Sequence, residues 1–212
     1  MKLLKGLFLA SCFVCIASAQ DWYAGVIGGL GVGQGLAVTN ATGTATAGFQ
    51  NGAVAGAFIG NDNHAHWGGE LRYLYRQSNI KLTSGGTSTE FDARTNIIHY
   101  DVTAFPAARE SRVRPFVAVG GGMQMLQGTG AESASQPLGN FVALTKTTET
   151  SFVVDGGAGI RANFGSSWQF RVEVRDYVSP APGKVTTLAP GARMGSWMND
   201  VIGMVSIAYT WH

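Results

Sequence analysis

The segment Trp168-Gln169-Phe170-Arg171-Val172-Glu173-Val174-Arg175 determines the fold class of this 212-residue chain. Its even-numbered positions are apolar, and its odd-numbered positions are polar or charged. Because successive side chains of a β-strand point to opposite faces, the segment predicts a strand with one apolar face and one charged face. The same period of two recurs at 67–76, 151–164 and 201–211.

Eight segments of this kind predict an all-β fold. They lie at roughly 21–32, 50–60, 66–77, 94–105, 114–126, 150–163, 168–177 and 200–211. Three connections are short (61–65, 106–113 and 165–167), and four are long and rich in Thr, Ser, Gly and Pro (33–49, 78–93, 127–149 and 178–199). An even number of strands joined in this way predicts an eight-stranded antiparallel up-and-down β-barrel, with both chain ends at the short-turn end.

Alternation is also typical of a soluble sandwich or a lipocalin-type barrel, in which the apolar face points inward. Three features favour a transmembrane β-barrel. Short turns alternate with long polar connections, the face opposite the apolar one carries many charges, and the aromatic residues lie near the ends of the predicted strands. Amphipathic rings prefer the level of the lipid headgroups, so two aromatic belts are expected. The predicted interface aromatics are Trp22, Trp67, Trp168 and Trp211 at the short-turn rim and Tyr75, Phe152, Tyr177 and Trp197 near the opposite rim.

The charged face is predicted to line the interior of the barrel. Eight strands enclose a lumen just wide enough for side chains to fill, and an unpaired charge there is costly. The predicted lumen network consists of Glu70, Arg72, Arg76, His99, Asp101, Asp155, Arg161, Arg171, Glu173 and Arg175. Its five arginines face four carboxylates. This near balance predicts linked ion pairs that plug the lumen and leave no continuous pore.

Small residues are also expected on the inner face, where they make room for arginine and tyrosine side chains that cross the lumen. These glycines are Gly25, Gly29, Gly31, Gly120, Gly122, Gly157 and Gly159. Phe105 and Phe116 lie at the short-turn rim, but counting in steps of two along their strands places them on the inner face; we call a residue's odd or even position along a strand its parity.

Residues 1–19 predict a cleaved secretory signal peptide, in which two lysines precede an apolar run and the small-residue motif Ala17-Ser18-Ala19. A lipoprotein box at Leu9-Ala10-Ser11-Cys12 is the alternative, but it leaves a short apolar run and no polar linker follows it. Cleavage after Ala19 would leave one barrel domain, 20–212, without cysteine and with 13 basic and 13 acidic residues. Such a balance gives no basic surface for nucleic acid.

No catalytic, cofactor-binding or metal site is predicted, and the chain is not expected to be an enzyme. The glycine run at 28–35 has no G-x-G-x-x-G register. His64-Ala65-His66 supplies only two metal ligands, so a polar turn is the favoured interpretation. His99 and Asp101 lie two residues apart without an evident serine, so a lipid-modifying barrel enzyme is a less favoured alternative.

Residues 20–211 resemble the small eight-stranded outer-membrane β-barrel family typified by the transmembrane domain of outer-membrane protein A. The motifs that carry the resemblance are Trp22-Tyr23-Ala24-Gly25, Ala55-Gly56-Ala57-Phe58, Trp67-Gly68-Gly69-Glu70-Leu71 and Tyr209-Thr210-Trp211. The resemblance implies a Gram-negative outer-membrane location, a lipid environment, a monomer and insertion by the barrel-assembly machinery. That machinery reads an aromatic-ended last strand, here Tyr209 and Trp211. The chain departs from the pattern because His212 follows Trp211 and because the peptidoglycan-binding domain of larger members is missing.

The resemblance leaves two functions open. A structural and surface role uses the four long connections as extracellular loops. The alternative is a small channel or carrier for a small hydrophobic or polar solute. A hydrophobic solute would require a side opening in the barrel and an apolar lumen. The predicted inner face is charged, which favours the structural role, and the sequence identifies no ligand.

Overall fold

A computed structural model describes residues 21–62, 64–133 and 135–211 of the protein. The predicted signal peptide, its cleavage site and His212 lie outside the described residues. The described strands are β1 (Asp21–Gly33), β2 (Gly35–Asn40), β3 (Gly43–Phe49), β4 (Gly52–Asp62), β5 (Trp67–Gln77), β6 (Ile80–Ser84), β7 (Thr87–Phe91), β8 (Ala93–Ala104), β9 (Val113–Gly128), β10 (Val142–Leu144), β11 (Thr148–Phe164), β12 (Trp168–Pro180), β13 (Thr186–Leu188), β14 (Arg193–Met194) and β15 (Trp197–Trp211). No helix among these residues is long and apolar enough to cross a membrane.

Eight of the strands form a closed antiparallel barrel in the order β1-β15-β12-β11-β9-β8-β5-β4. The ring closes where β1 pairs with β15, in a register that runs from Trp22↔Trp211 to Gly33↔Asp200. A closed ring leaves no unpaired sheet edge, which a strand in hydrocarbon requires. The predicted fold class, an all-β eight-stranded up-and-down barrel, is confirmed.

The barrel wall is apolar outside, and its inner face carries buried charges together with a buried apolar cluster that includes Phe58, Leu74 and Ile202. On β12, Trp168, Val172 and Val174 are about half exposed on the outer wall, at 51%, 49% and 55%. Arg171 and Arg175, which alternate with them, are 1% exposed on the inner wall. This arrangement is the reverse of a soluble barrel, whose apolar face points inward.

The four long connections differ from the predicted polar loops because they contain seven further strands. Five of these form a sheet in the order β14-β2-β3-β6-β7, and β10 pairs with β13. We call these two sheets the cap. Its buried cluster includes Val38, Ile80, Leu82, Val142 and Val185, so the cap has a hydrophobic core of its own. The cap strands are two to seven residues long, and their Thr, Ala and Gly content conceals the alternation in the sequence.

Candidate functional site

Glu70 on β5 is shared by four side chains inside the barrel. Its Oε1 accepts hydrogen bonds from the Tyr23 hydroxyl at 2.9 Å and from Arg171 Nη1. Its Oε2 accepts from Arg72 Nε at 2.9 Å and Nη2 at 2.7 Å. Arg161 Nη2 lies 3.8 Å from Oε1. None of the five residues is more than 1% exposed, so these charges interact without competing solvent.

Arg175, which lies nearer the cap on β12, joins three further carboxylates. Its Nη1 lies 2.9 Å from Asp101 Oδ2 and 2.7 Å from Asp155 Oδ2. Its Nε lies 2.8 Å from Glu173 Oε2. Arg72 Nη1 contacts the other oxygen of Glu173 at 2.7 Å, so one continuous chain of ion pairs connects this group with the one at Glu70.

His99 completes this second group. Its Nδ1 lies 2.9 Å from Asp101 and 3.1 Å from Asp155, and the Tyr177 hydroxyl lies 3.5 Å from its Nε2. The possible ligand atoms of His99, Asp101 and Asp155 lie within 4.8 Å of one another, as in a metal site. Arg175 already contacts both carboxylates, however, and its positive charge would repel a divalent ion there. The geometry therefore favours an ion-pair cluster over a metal centre.

Three charged residues of the lumen were not predicted. Asp62 Oδ2 accepts hydrogen bonds from Arg114 Nη1 at 2.9 Å and Arg161 Nη1 at 2.6 Å, and Asp200 Oδ2 lies 2.9 Å from Arg76 Nε. Asp62 lies in the predicted short turn at 61–65, and Arg114 and Asp200 are the first residues of predicted strands. Counting in steps of two along β9 and β15 places Arg114 and Asp200 on the inner face, so parity was the signal that could have found them.

With these additions, the described lumen has equal numbers of arginines and acidic residues. The six arginines are Arg72, Arg76, Arg114, Arg161, Arg171 and Arg175, and the six carboxylates are Asp62, Glu70, Asp101, Asp155, Glu173 and Asp200. Each of the twelve has at least one ion pair. The predicted count of five against four is therefore corrected to six against six.

Aromatic rings hold the guanidinium groups in place near the short-turn end. Arg171 lies 4.7 Å from the ring centre of Tyr23. Arg114 and Arg161 lie 3.9 Å and 4.4 Å from that of Phe105, which points inward as its parity predicts. Cation–π contacts stabilise arginine more strongly when both partners are removed from water. The rings also fill space, so the lower lumen is packed as well as charge-paired.

Glycines on the inner wall make the room that these long side chains need. A Cβ at Gly157 would lie 2.6 Å from Cγ of Arg175, and a Cβ at Gly120 would lie 2.7 Å from Oδ1 of Asp155. A Cβ at Gly31 would collide with the Arg76 guanidinium. The arrangement can therefore brace the barrel wall and obstruct passage.

The predicted interface aromatics lie on the outer wall with one exception. Trp67, Trp168, Trp211, Tyr75, Phe152 and Trp197 are exposed there, and Trp22 is half-buried. Tyr177 is only 2% exposed and lies inside the barrel, so its assignment to the interface is corrected. The physical reason is parity: Tyr177 shares the inner face of β12 with Arg175, two residues before it.

Of the two histidines in the 61–65 turn and its flank, one has a side chain with a local partner. His66 Nδ1 lies 2.8 Å from the carbonyl oxygen of Phe105, and His64 is exposed. Among residues 21–62, 64–133 and 135–211, the hydrogen-bond partners of the His66 and His99 side chains are a backbone carbonyl, carboxylates and a tyrosine hydroxyl. At the last strand, the rings of Tyr209 and Trp168 pack edge to face, with centres 5.3 Å apart.

Comparison with known proteins agrees with this architecture. Neisserial surface protein A superposes with a TM-score of 0.56 at 9% identity, over 92% of this chain and 100% of that one. The outer membrane protein OprG from Pseudomonas aeruginosa superposes with a TM-score of 0.56 at 13% identity, over 91% of this chain and 95% of that one. At these identities the likeness shows the fold alone.

Sequence comparison gives the family. No curated protein matches the chain significantly. The family model described as "Outer membrane protein beta-barrel domain" matches residues 7–184, which is most of the sequence. Together with the closed barrel of eight strands and its apolar outer wall, this match shows that the chain belongs to the outer-membrane β-barrel family.

Proposed function

We propose that this protein is a structural and surface barrel of the bacterial outer membrane whose lumen is plugged by ion pairs. The observation that carries the proposal is the continuous chain of buried charges. It extends from Asp62 near the short-turn end, through Glu70 and Glu173, to Asp155. A separate pair, Arg76 with Asp200, lies nearer the cap. Side chains fill the space that a solute would need.

The folded cap supports a role at the cell surface. In the proposed orientation, the short turns face the periplasm and the cap faces the exterior. A compact cap with a hydrophobic core gives a fixed shape to a part of the chain that would otherwise be four independent loops. The proposal includes no enzymatic step.

A carrier for a small hydrophobic or polar solute is the alternative. A hydrophobic solute would need an apolar route, and the apolar crevice between the cap and the barrel has a volume of only about 10 Å³. It is lined by Leu36, Phe49, Ile80, Met194 and Met198 among others. A site for a drug-sized molecule usually measures about 300–1,000 Å³, so the crevice does not favour the carrier.

We propose that export and membrane insertion of this protein proceed as the family resemblance implies. The signal peptide is cleaved after Ala19, and the barrel-assembly machinery inserts the chain by reading Tyr209 and Trp211. The mature barrel is a monomer surrounded by lipid. Mass determination of the protein from membranes tests the cleavage site, because the lipoprotein alternative would leave a lipidated Cys12 instead.

Conductance in planar bilayers tests the plugged lumen. The refolded protein should migrate anomalously on a gel until it is boiled, which shows a folded barrel, and it should give no stable large conductance in the same preparation. Stable single-channel openings from a homogeneous folded sample would contradict the proposal and favour the channel.

A further inference from the structure

A polar cavity of about 370 Å³ lies at the short-turn mouth of the barrel. The turn at 106–112, the turn at 165–167 and the ends of the inner wall form its sides. Its volume falls at the lower end of the range for small-molecule sites. The ion pairs of Asp62 with Arg114 and Arg161 form its floor, and we call the cavity the vestibule.

Cations outnumber anions in this vestibule. Its lining includes Arg109, Arg112, Arg114 and Arg161 but only two carboxylates, Asp62 and Glu110. Asp62 Oδ2 forms ion pairs with two arginines, Arg114 Nη1 at 2.9 Å and Arg161 Nη1 at 2.6 Å. Asp62 therefore pairs with both arginines at the floor, and Arg161 also lies 3.8 Å from Glu70. The lumen as a whole has equal numbers of arginines and carboxylates, so the excess of positive charge in the vestibule arises from the uneven distribution of these residues along the barrel.

The two arginines at the floor are held in place by several contacts: besides Asp62, Arg114 Nη2 donates to the carbonyl oxygen of Ala65 at 2.8 Å, and Arg161 Nη2 lies 3.4 Å from the Tyr23 hydroxyl. Arg114 and Arg161 are each 1% exposed, and both stack on the ring of Phe105. The Nε atom of each is buried and has no hydrogen-bond partner among the described residues. The same is true of Arg76 and Arg171 elsewhere in the lumen, so the groups available to a ligand are those that face the cavity.

The walls add polar groups suited to the same ligand. Arg112 is exposed on the 106–112 turn, and its side chain has no ion pair within the described part of the chain. The hydroxyl groups of Ser166 and Ser167 line the opposite side and can donate hydrogen bonds. Several guanidinium groups together with hydroxyl donors fit an oxyanion that carries more than one charge.

We propose that this vestibule binds a phosphate group presented from the short-turn side of the membrane. Arg114 and Arg161 form the floor of the site, and Arg112 closes it from the turn. Two sources share this chemistry: a free phosphate compound, and the headgroup of an anionic phospholipid in the adjacent leaflet. The proposal is independent of the surface role, because it concerns the opposite end of the barrel.

Calorimetric titration of inorganic phosphate into the full barrel tests the site. The protein is held in nanodiscs of zwitterionic phosphatidylcholine, and its fold is checked by gel mobility with and without boiling. We expect saturable binding at one site per barrel. Binding should weaken as ionic strength rises from about 0.1 M to about 1 M, since the screening length falls from about 10 Å to about 3 Å.

Three exposed positions make the test specific without disturbing the plug. Arg112→Ala should weaken binding about tenfold, the effect of losing one charge-assisted hydrogen bond. Glu110→Gln should strengthen binding, because it removes a negative charge from the wall. Arg193→Ala is the matched control: it removes an exposed arginine from β14 in the cap and should change nothing.

Anionic nanodiscs separate the two sources. If the ligand is a lipid headgroup, phosphatidylglycerol should compete with phosphate, and native mass spectrometry should find one anionic lipid retained by the wild type and the Arg193→Ala variant but not by Arg112→Ala. If it is a free phosphate compound, titration results should be the same in both lipids. Absence of both saturable phosphate binding and retained lipid, or equal binding by the wild type and Arg112→Ala, would overturn the proposal.

Discussion

Replacing Glu70 with glutamine tests whether the lumen is a dry plug. Glu70→Gln keeps the size of the side chain and one acceptor oxygen but removes the negative charge. Arg171 is affected most, because Glu70 is its only carboxylate partner among the described residues. Arg72 is affected less, since it keeps Asp101 at 3.1 Å and Glu173 at 2.7 Å.

The expected cost follows from these contacts. Removing one partner of a buried ion pair typically costs about 3–5 kcal/mol, because the remaining charge is left uncompensated. The substitution creates no cavity, and Arg171 keeps its hydrogen bond to Gln169 Oε1 at 3.0 Å. We therefore expect the free energy of unfolding to fall by about 3 kcal/mol, the lower end of that range.

Urea unfolding of the refolded barrel in detergent micelles measures this change, with tryptophan fluorescence and gel mobility as independent readouts. The matched control is Glu90→Gln in the cap. Glu90 pairs with Lys81 at 3.5 Å, but the side chains are 56% and 47% exposed. Solvent screens such a pair, so its loss should cost less than about 1 kcal/mol.

A double variant shows whether the loss arises from an uncompensated charge. Adding Arg171→Met to Glu70→Gln removes the stranded cation, so the double variant should be more stable than Glu70→Gln alone by about 1 kcal/mol or more. If Glu70→Gln costs no more than Glu90→Gln, then water solvates the charges of the lumen. The argument for a plug would then fail.

Three further substitutions test other parts of the structure. Gly157→Val should lower the unfolding free energy by about 1–3 kcal/mol or prevent folding, because its side chain would overlap Arg175, whereas Gly28→Val, whose Cβ meets nothing within 4 Å, should be tolerated in the same urea titration. Leu82→Ala should loosen the cap by about 2–5 kcal/mol without opening the barrel, so limited proteolysis should cut the cap sooner while the heat-dependent gel shift persists. Trp211→Ala should reduce the amount of folded barrel in cells but leave refolding into lipid unchanged, and normal accumulation in the outer membrane would contradict the proposed assembly signal.

The alternation of side chains between the two faces of each strand made most of the barrel predictable from the sequence. In a barrel wall the two faces meet different environments, hydrocarbon and a filled lumen, so the choice of side chain at each position reports its face. The structure places all ten residues of the predicted network inside, because each lies in a long, regular strand. The position of Tyr177 near the end of a strand predicts the interface, but Tyr177 lies two residues after Arg175 and therefore shares its inner face.

Partners within the lumen could not be predicted in the same way. Parity gives a face but not the stagger of one strand against the next, and the stagger decides which charges meet. Arg72 hydrogen-bonds to Glu70 two residues away and also to Glu173, which is 101 residues away on the opposite side of the barrel. The balance of six against six likewise depended on Asp62, which sits in what the sequence marks as a turn.

The cap buries its side chains in different surroundings from the barrel. Along β9, the inner face carries Arg114 near the short-turn end but Leu126 where the strand enters the cap cluster. Hydrocarbon around the barrel requires apolar side chains outside and leaves the polar ones for the interior, whereas water around the cap requires the reverse. On the outer wall, the rings of Phe152 and Trp197 pack 5.6 Å apart on β11 and β15, near the cap-side ends of those strands. Leu126 belongs to the hydrophobic core of the cap, although it lies on the same face of β9 as the buried charge of Arg114. This difference in surroundings explains why a single repeating pattern predicted the barrel but not the cap above it.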